Sequence, residues 1–377
     1  MTRLFEPLQI GECSLKHRLV MAPMTRLRAD DEHVPLEMML EYYSQRACVP
    51  GTLLITESNF IAARSRGRDE NAPGIFMQAQ IKQWRRITNE VHRKGSFIFM
   101  QLWHVGRAAR KSALEKAGLE MLSSSAVPIG DDYMTPRPMT EDEIQNTIDD
   151  FAQAARNAVE AGFDGVEIHG ANGYLIDQFI QDVCNQRTDR WGGTIENRSR
   201  FCLAIVRAVC EAIGPKRTAI RLSPFNTFQG MRMQDPIFQF THLISELRSF
   251  GLAYLHLIEP RVAGNADVDN KESQADNLDF ARAAWQKSSP IIIAGGYTPK
   301  NAGEALDTVF KDDDVAIAFG RYFLSNPDLP FRIAKNLPLT PYQRDTFYKV
   351  KSPDGYTDYP FSEAWLNDHP EHITTKS

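Results

Sequence analysis

Cysteine is sparse in this chain and nowhere grouped. Cys13, Cys48, Cys184, Cys202 and Cys210 are odd in number and include no Cys-x-x-Cys pair. That excludes a cysteine-built zinc site, an iron–sulfur centre and a dithiol redox motif, and it fits a reducing compartment better than a disulfide framework. No stretch is apolar for long enough to span a bilayer, and the start, Met1-Thr2-Arg3-Leu4-Phe5-Glu6-Pro7, lacks the apolar run of a secretion signal. The final Thr375-Lys376-Ser377 is not the peroxisomal tripeptide, so a cytoplasmic location is expected. An excess of positive charge is missing too. The 43 Lys and Arg against 48 Asp and Glu leave a net charge of −5, with no general attraction for nucleic acid or an anionic membrane. Also absent is Gly-x-Gly-x-x-Gly, with which a doubly wound dinucleotide-binding sheet would normally announce itself.

What is present is ordinary globular composition, 42% hydrophobic and 24% charged, in a chain of 377 residues. Short apolar runs rich in β-branched and aromatic residues alternate with longer segments of helical period. The predicted strands are Arg18 to Pro23, Thr52 to Glu57, Phe97 to Trp103, Gly165 to His169, Thr218 to Ser223, Ala253 to Ile258, Pro290 to Ala294 and Val315 to Phe319. Helices are predicted near Leu36 to Arg46, Gln80 to Arg93, Glu141 to Ala161, Glu196 to Ile213, Pro236 to Phe250, Asn277 to Lys287, Pro299 to Phe310 and Pro327 to Lys335. Eight such units predict an α/β fold, a closed parallel (β/α)8 TIM barrel, as one domain over residues 1–377. The third unit carries a long insertion, His104 to Met139, expected to be a loop or flap over the barrel mouth. Beyond Pro338 the tail keeps its aromatic residues and is expected to pack back on the barrel.

Chemistry concentrates in Gly165-Val166-Glu167-Ile168-His169-Gly170-Ala171-Asn172-Gly173-Tyr174, a strand that breaks at two glycines and then offers an imidazole, a carboxamide and a phenol. Strand parity puts Gly165, Glu167 and His169 on one face. His169 and Asn172 are a candidate donor pair for a carbonyl oxygen, with Tyr174 a candidate proton donor. Arg221 shares parity with Ala219 and should point into the barrel, where a permanent charge needs an anion. Either Glu167 or Glu57 is a structural partner for it, or the anion develops during reaction. Strands seven and eight end in Gly295-Gly296 and Gly320-Arg321, in the position where barrels commonly cradle a phosphate. Gln101 and Thr25 can bond the amide edge of a flavin- or pyrimidine-like ring, though each also reads as a satisfied core polar group. A glycosidase would need paired strand-end carboxylates, for which Glu57 and Glu259 are candidates, but the phosphate cradle would then be unexplained. No second His or carboxylate stands at metal-ligand spacing around His169, and no metal site is expected.

The stretch from Gly165 to Tyr174 stands with other separated motifs: Leu4-Phe5-Glu6-Pro7, Ala22-Pro23-Met24-Thr25-Arg26, Leu54-Ile55-Thr56-Glu57, Gln101-Leu102-Trp103, Asp189-Arg190-Trp191-Gly192-Gly193-Thr194-Ile195-Glu196-Asn197-Arg198, Arg221-Leu222-Ser223-Pro224 and Gly320-Arg321-Tyr322-Phe323. Across these the chain resembles the old yellow enzyme family of FMN-dependent ene-reductases over essentially its whole length. Within that family it is most similar to the fungal branch that includes reductases of chanoclavine aldehyde.

The resemblance implies a tightly held, non-covalent FMN, reduced by NADPH and reoxidised by an activated alkene, in a monomer or homodimer. It implies that Pro23, Met24, Thr25, Ser58 and Gln101 line the flavin ring, that Arg221 faces its N1 and C2 carbonyl, and that Gly295, Gly296, Gly320 and Arg321 hold its phosphate. His169 and Asn172 would grip the substrate's carbonyl or nitro oxygen and Tyr174 would protonate the α-carbon, with Trp103, Phe228 and Tyr359 as further substrate contacts. Phe at the position of Tyr174 is associated in this branch with isomerisation, so Tyr174 favours net reduction. The alternatives are a flavin-dependent alkene isomerase and a non-enzymatic flavin-binding stress protein. Departures from the family pattern are Ser58, where Gly or Ala is common, Arg68, where an aromatic is common, and Gly296, where Asn is common. The loop from Arg261 to Asp276 also lacks the bulky aromatic some relatives place over substrate, which suggests a roomier pocket.

Overall fold

A computed structural model describes residues 2–260, 262–263, 266–267 and 276–370. The expectation drawn from the loop at 261–276 falls almost wholly outside these. Eight strands close into a barrel: β1 (Leu19–Met21), β2 (Leu53–Phe60), β3 (Phe97–Trp103), β4 (Gly165–Gly170), β5 (Thr218–Leu222), β6 (Tyr254–Ile258), β7 (Ile291–Ala294) and β8 (Val315–Phe319). Each pairs in parallel with its sequence neighbours, and β8 returns to β1. The strands read as continuous apolar runs because both faces are covered, one by the barrel interior and the other by helices.

The main helices around the barrel are α1 (Glu37–Arg46), α2 (Gln78–Arg93), α3 (Glu141–Glu160), α4 (Ile195–Ile213), α5 (Pro236–Arg248), α6 (Asp279–Trp285), α7 (Pro299–Asp307) and α8 (Leu329–Ala334). Their starts follow from local chemistry. Before α3, the Thr140 hydroxyl accepts from the Glu143 amide and the Glu143 carboxylate accepts from the Thr140 amide, a reciprocal cap worth about 1 kcal/mol. Thr194, Asp235 and Thr298 cap α4, α5 and α7.

Alternate strand residues fill the barrel. Val20, Leu53, Ile55, Phe99, Ala219, Tyr254, Ile292 and Ala316 belong to one interior cluster, joined by Leu8, Ile10, Cys13 and Leu15. Those last four come from an antiparallel hairpin, Leu8–Ile10 with Cys13–Leu15, which the alternation of barrel units did not reveal. The interior is thus solid apolar packing toward the strand starts and turns polar only near their ends. That polarity gradient places the chemistry.

The insertion after β3 is more structured than a plain loop. It holds a helix, Lys111–Ala117, and a short pairing of Leu122–Ser123 with Arg137–Pro138. Buried Arg107 ties it across the barrel top, donating to the carbonyls of Val127, Pro128, Gln229 and Gly230. The C-terminal extension packs back as expected. Buried Arg26 and Arg28 donate to backbone carbonyls of Thr346, Phe347, Ser352, Asp354 and Gly355, and the Tyr356 ring stacks on Tyr42 at 4.1 Å.

Candidate active site

The strand ends open into a cavity of about 930 Å³. Pro23, Met24, Thr25, Ser58, Gln101, His169, Asn172, Tyr174, Arg221, Phe228, Gly295, Gly296, Gly320 and Arg321 all line it. Trp103 and Tyr359, both expected as substrate contacts, do not. Trp103 is buried behind Tyr174, stacked on Phe60 at 5.0 Å and edge-on to the Tyr174 ring at 5.0 Å. Tyr359 is buried in the extension, its hydroxyl accepting from the Gln343 amide at 3.0 Å. The extension instead gives the cavity Tyr342, Phe347, Tyr348 and Val350.

The turn after β4 explains how three polar groups converge. Asn172 and Gly173 both adopt left-handed backbone, with φ of 58° and 74°. A side chain on Gly173 would meet Met231 Cγ at 2.8 Å, so only glycine fits. The turn is fixed by the Asn172 amide donating to Ser223 Oγ and the Gly173 amide donating to Asp177 Oδ2, each at 2.8 Å. Asp177 belongs to a buried helix, Leu175–Ile180, that the helical-period reading missed; the acid close behind the glycine is its sequence signal.

Donor directions in the site follow from the surrounding bonds. Asn226 Nδ2 donates to Asn172 Oδ1 at 2.6 Å, leaving Asn172 Nδ2 as the donor available to a ligand. His169 Nδ1 accepts from the Ala171 amide at 3.4 Å, which favours the tautomer protonated at Nε2. Burial lowers the His169 pKa to about 3, helped by Arg221, so the ring is a neutral donor at physiological pH. Its ring lies 4.9 Å from that of Tyr174. Burial pushes the Tyr174 phenol above its ordinary value, so it stays protonated.

Beneath the cavity, neighbouring strands carry one hydrogen-bonded polar row. A register shift in β2 between Ile55 and Ser58 sets Ser58, and not Glu57, beside Gln101. Ser58 Oγ donates to Gln101 Oε1 at 2.5 Å, and Gln101 Nε2 donates to Glu167 Oε1 at 2.7 Å. Glu167 Oε2 accepts from His256 Nδ1 at 2.7 Å and from the Tyr254 hydroxyl at 3.1 Å. Burial alone would raise the Glu167 pKa, but His256, Arg221 and Gln101 together hold it below the ordinary carboxylate value. Both carboxylate oxygens are engaged, and Arg221 makes no ion pair with Glu167 or Glu57. Glu57 lies off the cavity, bonded to the Arg26 amide, its pKa raised to about 7 by burial. Glu259 accepts from the Tyr297 hydroxyl. Neither acid lines the cavity, and the carboxylate pair of a glycosidase is not formed.

Arg221 Nε is buried without a partner while the side chain faces the cavity. Burial pulls its pKa down and Glu167 opposes that. A fixed cation so placed suits an anionic or electron-rich ligand edge. At the far side, Gly295 has φ of 129°, and a Cβ there would strike the Glu259 Cβ at 2.7 Å, so the backbone can lie bare against a ligand. A planar ring system with an amide edge and a phosphate tail, such as FMN, fits this set of groups.

The comparisons with known proteins agree. A profile of the NADH:flavin oxidoreductase / NADH oxidase family matches residues 3–340. The chain belongs to that family. It is 56% identical to a chanoclavine-I aldehyde reductase of Penicillium roqueforti, over 96% of this chain and 97% of the relative. It is 52% identical to an NADP-dependent oxidoreductase of Aspergillus flavus, over 99% and 100%. It is also 50% identical to a probable inactive reductase of Epichloe festucae var. lolii, over 98% and 97%. Among solved structures it superposes on the old yellow enzyme of Pichia sp. AKU4542 with a TM-score of 0.88 at 40% identity, covering 96% of this chain and 94% of that one. The chain is thus an oxidoreductase of old yellow enzyme type, and membership implies flavin binding.

Arg68, the departure from the family pattern noted above, lines the cavity, as do Asp69 and Arg110, which no motif marked. Asp69 is the one acid among the described lining residues, against five arginines, and it pairs with Arg68 and Arg110. No helix among the described residues is long and apolar enough to cross a membrane.

Proposed function

We propose that this chain reduces the activated C=C bond of α,β-unsaturated carbonyl or nitro compounds at the expense of NADPH. The observation that carries the reading is the grouping of two aimed donors, His169 Nε2 and Asn172 Nδ2, with the protonated phenol of Tyr174 on the cavity that Arg221 faces. FMN, when bound, supplies the hydride that adds to the alkene β-carbon. His169 and Asn172 donate to the substrate oxygen and draw electron density from the alkene. Tyr174 delivers the proton to the α-carbon. Ser58, Gln101 and Thr25 hold the ring's polar edge, Arg221 offers it a fixed positive charge, and Gly295, Gly296, Gly320 and Arg321 hold its phosphate.

Conjugated aldehydes are the proposed substrate class, supported by the aldehyde reductase relative, and NADPH is supported by the NADP-dependent one. Similarity does not by itself separate active from inactive relatives, since the probable inactive reductase is also 50% identical. His169, Asn172 and Tyr174, all present and oriented, favour turnover. Purified protein should be yellow, bleach anaerobically with NADPH and recover its colour with a conjugated aldehyde. A colourless protein that takes up no FMN overturns the reading. Conversion of the alkene without net NADPH consumption favours the isomerase instead.

A further inference from the structure

Tyr174 stands partly buried in the cavity wall, and the phenolate left when it gives up a proton needs compensation. The rings packed on it, His169 and Trp103, carry no charge to offer. The charged and polar groups acting on it are Arg68, Asp69, Tyr348, Gln229 and Arg221, and Asp69 and Tyr348 oppose the phenolate. Of the two cations Arg68 is the one packed on the ring, its guanidinium carbon 5.8 Å from the Tyr174 ring centroid. It is held there on two sides. Nη1 donates to the Ala108 carbonyl at 2.7 Å and to Gln229 Oε1 at 3.3 Å, while Nε faces Asp69 Oδ2 at 3.5 Å. Gln229 Nε2 donates in turn to the Asn172 carbonyl at 2.6 Å, so one bonded chain joins Arg68 to the oxygen-binding turn.

We propose that Arg68 is a positioning residue for proton delivery, held beside Tyr174 to offset the negative charge left on its oxygen. This rests on Tyr174 being the proton donor. The Oη–H bond breaks as the α-carbon C–H bond forms, using the electron pair pushed there by addition at the β-carbon, and solvent reprotonates the phenolate. At a partly buried site, a cation at this range favours the charged product of the transfer more than it would in bulk solution.

A nitroalkene separates the two steps, because after addition at the β-carbon its nitro group holds the charge as a nitronate whose absorbance decays only on protonation. The test uses the full-length FMN-loaded protein, reduced anaerobically and mixed with a nitroalkene. Arg68→Met should slow nitronate decay about tenfold relative to flavin reoxidation, and Arg68→Lys should restore most of the loss. Added to Tyr174→Phe, Arg68→Met should change the decay no further. The proposal is overturned if Arg68→Met slows reoxidation and leaves nitronate decay alone, if Arg68→Lys is no better than Arg68→Met, or if the effect persists in the Tyr174→Phe background. Wild-type nitronate decay in Tyr174→Phe alone would instead remove the donor role itself, a different failure read on a different variant. A normal flavin spectrum in each variant reports that it has folded.

Discussion

Asn226 holds Asn172 by one side-chain hydrogen bond, Nδ2 to Oδ1 at 2.6 Å, and thereby decides which end of the Asn172 carboxamide meets a ligand. Without it the amide is free to present its oxygen, an acceptor, to a substrate oxygen. Asn226→Leu should raise KM for a conjugated aldehyde about fivefold, the equivalent of one hydrogen bond of about 1 kcal/mol, with flavin reduction by NADPH unchanged. Steady-state and reductive stopped-flow kinetics check this. An equal loss in both half-reactions would mean the bond is only structural.

Tyr174→Phe keeps the ring's packing against His169 and Trp103 and removes only the hydroxyl. Flavin reduction should stay within about twofold of wild type, and reoxidation by an enal should slow by about a hundredfold or more. Parallel losses in the two half-reactions would refute the assignment.

Arg221 buries its Nε with no partner, which costs the fold stability unless a ligand supplies an acceptor there. Arg221→Met should raise the melting temperature of the flavin-free protein while weakening FMN binding about ten- to hundredfold. Thermal melts with and without FMN read both effects. A fall in melting temperature without flavin would show that Arg221 supports the fold.

His104 gives the pH dependence of stability a sign. Burial lowers its folded-state pKa from 6.5 to about 3. Between those values the unfolded chain takes up a proton that the folded chain refuses, so stability is lost as pH falls below about 6.5. Glu57, raised to about 7 by burial, acts in the opposite direction, so the wild-type slope is a sum. His104→Gln should remove one proton's worth, about 1.4 kcal/mol per pH unit, from the slope between about pH 4 and 6. Denaturant melts across that range check it, and an unchanged slope would mean His104 titrates in the folded state.

The barrel was legible in the sequence because each of its strands is a local apolar run, and period-two parity turned Glu167 and Arg221 inward. The turn at Asn172 and Gly173 was legible because its chemistry lies within ten residues. Glu57 and Ser58 show where this stops. Both were candidates, and the register shift that aims Ser58 at Gln101 is a property of two strands, written in neither alone. Trp103 does not line the cavity, and a strand-end aromatic has no local signal telling whether it faces the cavity or the Phe60 ring behind it. Arg68, Asp69, Arg110 and Tyr348 come from loops and from the extension, brought together by long-range contacts with no sequence period.

Reduction of an activated alkene is read most directly in a single turnover in D2O. The FMN-loaded protein is reduced by one equivalent of NADPH without oxygen, then mixed with an equimolar conjugated aldehyde. The flavin absorbance should return in full, with one saturated aldehyde formed per flavin and carrying deuterium at the α-carbon. Flavin that stays reduced, with the alkene recovered unchanged or isomerised, would contradict alkene reduction.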